Sequence, residues 1–302
     1  MDEEHARRSL LAWYRRHGRS HLPWRTRRDP YGTLVSEFML QQTQVDRVVP
    51  RFEAFLERFP SVSTLAAASA ADVLREWRGL GYNARALRLK RVADSVVSEH
   101  GGSIPNDSLA LRALPGIGAY TAAAIRSFGF DLDDAPIDTN LRRVVHRLYF
   151  GIEYPPAATQ AEIDRRTREL LPPGQSHDWN SALMDLGATV CTARAPKCLI
   201  CPLRDVCAAA PVDPAALERA RASNGRPKPV TAFKETTRYA RGRIVDRLRE
   251  LPAGRRISLL DLHADLARAL PNRTVGEIEG FVSALQTDGL VTREGNSVAL
   301  AD

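Results

Sequence analysis

Apolar residues recur at helical spacing along most of the chain. Leu10, Leu11, Trp13 and Tyr14 mark a first helix, and Leu34, Val35, Phe38 and Met39 form one face of a helix expected over 34–49. Two amphipathic helices are expected between Val62 and Gly101, another over 141–148, and more across 160–190. Thr121 to Phe128 is rich in Ala and Ser, which suits a helix packed closely against its neighbours. Near the end, helix patterns over 237–251, 258–270 and 274–288 precede two short alternating runs, 289–293 and 297–300, around Glu294-Gly295-Asn296. Three helices and a hairpin suggest a winged-helix domain, a form that serves either DNA or protein contacts. The fold class is therefore mainly α.

The breaks between these patterns carry the chemistry. Leu114-Pro115-Gly116-Ile117-Gly118 reads as a hairpin between helices. Gly116 and Gly118 let a phosphate approach the main chain, and the positive end of the following helix attracts it. Ile137-Asp138-Thr139-Asn140 opens the helix that follows, where an aspartate is an ordinary N-cap or a group that meets a ligand. Gly79-Leu80-Gly81-Tyr82-Asn83 is a second glycine-punctuated junction, with Tyr82 either packed or available as a wedge into a base step. On the 34–49 helix, Glu37 lies at the edge of the apolar face beside an uncharged run, Gln41-Gln42-Thr43-Gln44. Amides can hydrogen-bond base edges, or fill a gap in a base stack without the phosphate attraction of a cation.

Composition narrows the field. At 302 residues with 44% hydrophobic content, two or three domains are expected. Lys+Arg outnumber Asp+Glu by 43 to 36, and the net charge of +7 favours a polyanionic partner. Eight arginines against three acids make residues 1–28 the most basic part of the first half, ending in a loop with Pro23-Trp24-Arg25. The chain shows neither an 18-residue apolar run nor an apolar signal core after its charged start, so it is expected to be soluble, cytoplasmic and not bound to membrane. From 208 to about 234 the composition shifts to Ala, Pro and basic residues, as in a linker, here including Asn224-Gly225-Arg226-Pro227-Lys228-Pro229. Its four cysteines, Cys191, Cys198, Cys201 and Cys207, lie within seventeen residues at spacings of six, two and five. Four thiolates suit zinc or an iron–sulfur cubane, and ligand count alone puts zinc ahead.

Together these stretches resemble the helix-hairpin-helix DNA glycosylases of the endonuclease III superfamily, and Ser36-Glu37-Phe38-Met39-Leu40-Gln41-Gln42-Thr43-Gln44-Val45 resembles the signature of its MutY-type adenine glycosylases. The resemblance covers roughly residues 8–209. It implies an iron–sulfur cluster domain from 1–28 and 135–209 and a six-helix barrel domain over 29–134, with a pocket between them. Beyond these would lie a linker over 210–235 and a small winged-helix-like domain over 236–302. The cysteine spacing matches the superfamily's [4Fe–4S] motif, which reverses the preference for zinc. The resemblance makes Glu37 the acid that protonates adenine and Asp138 the carboxylate that stabilises an oxocarbenium-like sugar. Tyr120 and Asn140 would align sugar and carboxylates, and Gln42, with Tyr82, would enter the duplex as the base is everted. Pro-Trp-Arg in this position places Arg25 near the substrate pocket. Tyr120 stands where bifunctional relatives carry a Schiff-base lysine, so strand cleavage is not expected. The implied substrate is double-stranded DNA with adenine opposite 8-oxoguanine or guanine, and the implied state is a monomer.

Two departures matter. Asn83 replaces an aromatic common in that loop, and residues 235–302 are too few for the 8-oxoguanine-reading domain typical of the family. A glycosylase for thymine or uracil opposite guanine, and a non-catalytic iron–sulfur DNA-binding protein, are the alternatives.

Overall fold

The computed structural model describes residues 2–154, 156–223 and 232–302. In chain order its helices are α1 (Glu3–His17), α2 (Pro23–Thr26), α3 (Pro30–Leu40), α4 (Val45–Arg58), α5 (Val62–Ala67), α6 (Ala70–Glu76), α7 (Ala84–His100), α8 (Ser108–Ala113) and α9 (Ala119–Ala124). They continue with α10 (Thr139–Phe150), α11 (Gln160–Leu170), α12 (Ser176–Thr189), α13 (Pro214–Ala222), α14 (Thr237–Arg249), α15 (Leu259–Leu266) and α16 (Val275–Thr287). Strands β1 (Ile257–Ser258), β2 (Val291–Glu294) and β3 (Ser297–Leu300) form one antiparallel sheet in the order β1-β3-β2.

Contacts divide the chain into two units: Met1–Leu34, Asn106–Ala113 and Ile117–Lys228 form the first, and Val35–Pro105, Leu114–Gly116 and Pro229–Asp302 the second. In the first, α1 starts at an Asp2 cap that accepts from the His5 amide, with Glu3 and Glu4 in its first turn and Arg15, Arg16 and His17 in its last. That charge order complements the helix dipole. α1, α10 and α12 bury Leu10, Leu141, Leu183 and Trp179 together, and each such side chain stabilises by about 2 kcal/mol. Gly129, at the end of a π-helical turn after α9, passes so close to Pro30 that a Cβ would lie 2.6 Å from its Cα. Only glycine permits that crossing.

In the second unit α5 and α6 pack on α7, and Phe55, Phe59 and Trp77 form a fully buried aromatic group with edge-on contacts. The C-terminal segment has its own core of Ile244, Val245, Leu248, Leu262, Val282 and Val298 under the sheet. It is docked: α14 packs on α6, where the buried Arg249 donates from Nε to the Leu74 carbonyl (2.7 Å) and from Nη2 to Asn83 Oδ1 (2.7 Å).

Four expectations change. The helix expected over 34–49 is two helices, because Gln42 adopts φ +56° and the chain turns there. The two helices expected between Val62 and Gly101 are three, since the capping serines Ser61 and Ser69 each start a short one. α13 lies in the stretch expected as linker, initiated by the Asp213 cap and Pro214 at its first position; residues 224–229 fall outside the described ones. The expected two-stranded wing gains β1, whose two residues are too short to alternate visibly.

Candidate active site

Asp138 caps α10. Its Oδ1 accepts from the Leu141 amide (2.7 Å) and its Oδ2 from Asn140 Nδ2 (2.9 Å), so both oxygens are fixed as acceptors. Asn140 is held in turn by Arg143, whose Nη2 donates to Asn140 Oδ1 (2.9 Å) and to the Gly187 carbonyl (2.8 Å), while its Nε donates to the Cys191 carbonyl (3.0 Å). A line of hydrogen bonds thus runs from the first cysteine to the aspartate. Gly187, in the middle of α12, makes it possible: a Cβ there would lie 2.9 Å from the Cβ of Asn140. Tyr120 is half-buried in the first turn of α9, whose start at Gly118 follows a Gly116 in the left-handed region at φ +84°.

Glu37 lies in the second unit, on α3, 9% exposed among Val35, Phe38 and Met39. The helix ends three residues later because Arg85 collects its carbonyls: Nη1 donates to Phe38 (2.8 Å), Met39 (2.9 Å) and Gln41 (2.5 Å). Arg85 Nη2 reaches the Leu80 and Gly81 carbonyls (both 3.1 Å) and Thr43 Oγ1 (2.9 Å). One buried guanidinium therefore fixes the turn that presents Gln41 and Gln42 and the loop that presents Tyr82. Burial lowers its pKa to about 10, which leaves it charged at neutral pH. Gln42 is exposed, and Tyr82, at φ +46°, is 38% exposed.

Arg25 is turned into the protein rather than towards solvent. It is buried in the first unit, with Nη1 and Nη2 on the two oxygens of Asp185 (2.6 and 3.0 Å), where Arg19 also binds (2.7 Å).

The four cysteines line one cavity with Arg147, Pro196 and Ala209. Among the described residues no three His, Cys, Asp or Glu are drawn close enough to grip a single metal ion. Four thiols around one cavity supply the donor set of a cubane, one for each iron corner. Burial raises the Cys191, Cys201 and Cys207 thiols, Cys201 to about 12, so iron binding must displace their protons. Arg147, itself buried, donates from Nη1 to Cys191 Sγ (3.6 Å), and its own carbonyl accepts from Cys207 (3.3 Å).

Sequence reasoning passed over Arg85, Arg143, Arg147, Gly187 and Asp185. Three of them left a signal. A glycine inside a helix pattern marks a close approach, and Arg143 stands at the i+3 position from Asn140, one turn along the same face. Arg85 sits in the first turn of α7, where a cation opposes the helix dipole, which itself calls for a specific partner.

Residues 35–173 match the HhH-GPD superfamily of base excision DNA repair proteins, and residues 191–207 match the iron–sulfur binding domain of endonuclease III. The chain belongs to the adenine DNA glycosylase family within that superfamily, and it carries the family's [4Fe–4S] motif. It is 43% identical over 242 residues to the adenine DNA glycosylase of Mycolicibacterium smegmatis, covering 80% of this chain and 79% of that one. With that of Mycobacterium tuberculosis it shares 40% over 291 residues, 94% and 90% of the two chains. Among solved structures, a thermostable thymine-DNA glycosylase superposes with a TM-score of 0.63 at 30% identity, over 68% of this chain and 94% of that one. No helix among the described residues is long and apolar enough to cross a membrane.

Proposed function

We propose that this chain hydrolyses the N-glycosidic bond of adenine mispaired with 8-oxoguanine or guanine in double-stranded DNA, acting as a cytoplasmic monomer and without cutting the strand. The observation that carries the reading is Asp138, whose two oxygens are locked as acceptors by Leu141 and Asn140, as a carboxylate needs to be if it is to face a cationic sugar.

Adenine leaves poorly as an anion. The Glu37 carboxyl gives its proton to a ring nitrogen of the base, the C1′–N9 bond breaks with its electron pair passing to the base, and positive charge develops on the sugar. Asp138 stabilises that charge. Water then adds to C1′ and returns a proton to Glu37, restoring the acid. Tyr120 and Asn140 align the sugar; a tyrosine forms no Schiff base, so the abasic strand survives until alkali cuts it. Gly116 and Gly118 hold a phosphate, while Gln41, Gln42 and Tyr82 occupy the space left by the everted base. Arg25, through Asp185, braces the Pro23-Trp24 turn beside the substrate. The cluster, held by Cys191, Cys198, Cys201 and Cys207, shapes its loop for DNA and supplies structure rather than redox chemistry.

Single-turnover assays on adenine opposite 8-oxoguanine, adenine opposite guanine, and thymine or uracil opposite guanine, each followed by alkali, test the proposal. Adenine release with alkali-dependent strand cutting, lost in Asp138→Asn, is the expected result. Release of pyrimidine alone would give the substrate of the thymine-DNA glycosylase neighbour instead, and no release from cluster-loaded protein would leave only a DNA-binding role.

A further inference from the structure

The docked C-terminal segment closes one side of a cleft of about 540 Å³ in the second unit, within the size range of small-ligand sites, roughly 300–1,000 Å³. Gln42, Tyr82 and the arginines Arg47 and Arg88 line it from the α3–α4 turn, the loop between α6 and α7, α4 and α7; Arg238 and Arg241 line it from α14. Six arginines in all face it against one aspartate, Asp246. Some of that charge is already matched, since Arg241 bonds Asp288 and Arg243 bonds Asp246. Among the described residues, Arg47 and Arg88 bond backbone carbonyls, of Gly79 and Ala84, and no carboxylate. The Arg238 guanidinium lies 4.8 Å from the centroids of both the Tyr82 and Phe233 rings and bonds the Tyr82 hydroxyl. An aromatic face already stacked on a planar cation, at the edge of a strongly positive cleft, is the pairing that binds unpaired nucleic-acid bases along a tracked backbone. Gln42 and Tyr82 are also two of the non-glycine residues held at positive φ (+56° and +46°), a conformation that the surroundings must impose.

We propose that the C-terminal three-helix segment is one wall of a DNA-strand cleft, in which phosphodiesters of a single strand lie between Arg47 and Arg88 on one side and Arg238 and Arg241 on the other, with a base against Tyr82. The inference rests on the DNA-glycosylase reading, and it gives the C-terminal segment a role that neither its fold nor the catalytic residues supply. Asn83 fits it as well: the amide there receives Arg249 and anchors the wall.

The test uses full-length, cluster-loaded protein and a 30-base-pair duplex carrying adenine opposite 8-oxoguanine, with Kd measured from 50 to 250 mM salt. Arg47→Gln/Arg88→Gln and Arg238→Gln/Arg241→Gln are compared with Arg255→Gln/Arg268→Gln, which removes the same charge from exposed positions outside the cleft. Arg47→Gln/Arg88→Gln should lower the salt slope by about 2, and Arg238→Gln/Arg241→Gln by about 1 to 2 because Asp288 already pairs with Arg241; each should raise Kd about tenfold, with thermal melting confirming intact protein, while the control pair stays near the parent. If Arg238→Gln/Arg241→Gln binds like the control pair, the wall is disproved, even where adenine is released. If no adenine is released yet both cleft pairs weaken binding, the cleft stands and the catalytic reading falls.

Discussion

Asp185 is fully buried on α12 between two guanidiniums, and its partner Arg25 is 160 residues away in sequence. Burial alone would raise its pKa, but the hydrogen bonds and charges of Arg25 and Arg19 outweigh that and hold it below the ordinary aspartate range. The folded state therefore binds the proton less readily than the unfolded chain. The stabilisation is complete above about pH 4, the ordinary aspartate value, and is lost as pH falls below it. Asp185→Ala should cost about 3–5 kcal/mol at neutral pH, because it leaves Arg25 buried and unpaired. It should also flatten the acid limb of stability. Urea melts of both proteins between pH 3 and 7 check this, and equal midpoints would refute it. Residues of this kind are invisible in sequence because their meaning lies in a partner far along the chain. Arg25 was legible as special from its Pro-Trp-Arg setting, but its direction, inward onto Asp185, was not.

At the scale of elements, the close pairing of α10 and α12 decides where Asn140 stands. Replacing a mid-helix glycine by alanine ordinarily stabilises a helix by about 1 kcal/mol. At Gly187 the added methyl would meet the Asn140 Cβ at 2.9 Å and Val144 Cγ2 at 3.4 Å, so α10 must shift. Gly187→Ala should slow single-turnover base release by about tenfold to a hundredfold, the cost of misplacing a catalytic group by a fraction of an ångström to one ångström. Its Kd for the duplex should stay close to the parent's; an unchanged rate would show that the spacing is slack. The elements themselves were largely readable, since amphipathic periodicity found most helices and the wing. What periodicity could not find was the end of α3. Gln42 is no helix breaker by composition, and the stop is imposed by Arg85 from α7.

At the scale of the molecule, the cysteine loop is built from short 3₁₀ turns, Cys198–Ile200 and Arg204–Val206, with Leu199 and Ile200 exposed. Leu203 is buried, and Val206 with three of the cysteines packs at the edge of the neighbouring core, but the rest of the loop has little apolar cover, so thiolate–iron bonds supply much of its fold. Cys198→Ala should abolish the visible absorbance of the cluster and open the loop to trypsin at Arg194, Lys197 and Arg204. α1, α10 and α12, whose shared apolar core is formed mostly by their own side chains, should stay folded by circular dichroism. A variant that resists trypsin as the parent does would show the loop to be self-sufficient. The cysteine spacing announced this centre from sequence alone, whereas the chain of contacts from Cys191 through Arg143 and Asn140 to Asp138 needed the fold. The grip of Arg85 has a consequence for how this protein can change. Because a single side chain fastens both the turn at Gln42 and the loop at Tyr82, and does so through main-chain carbonyls, the two side chains can be exchanged one at a time with the grip intact. Arg85 itself is the shared hinge pin: its loss would free both segments together.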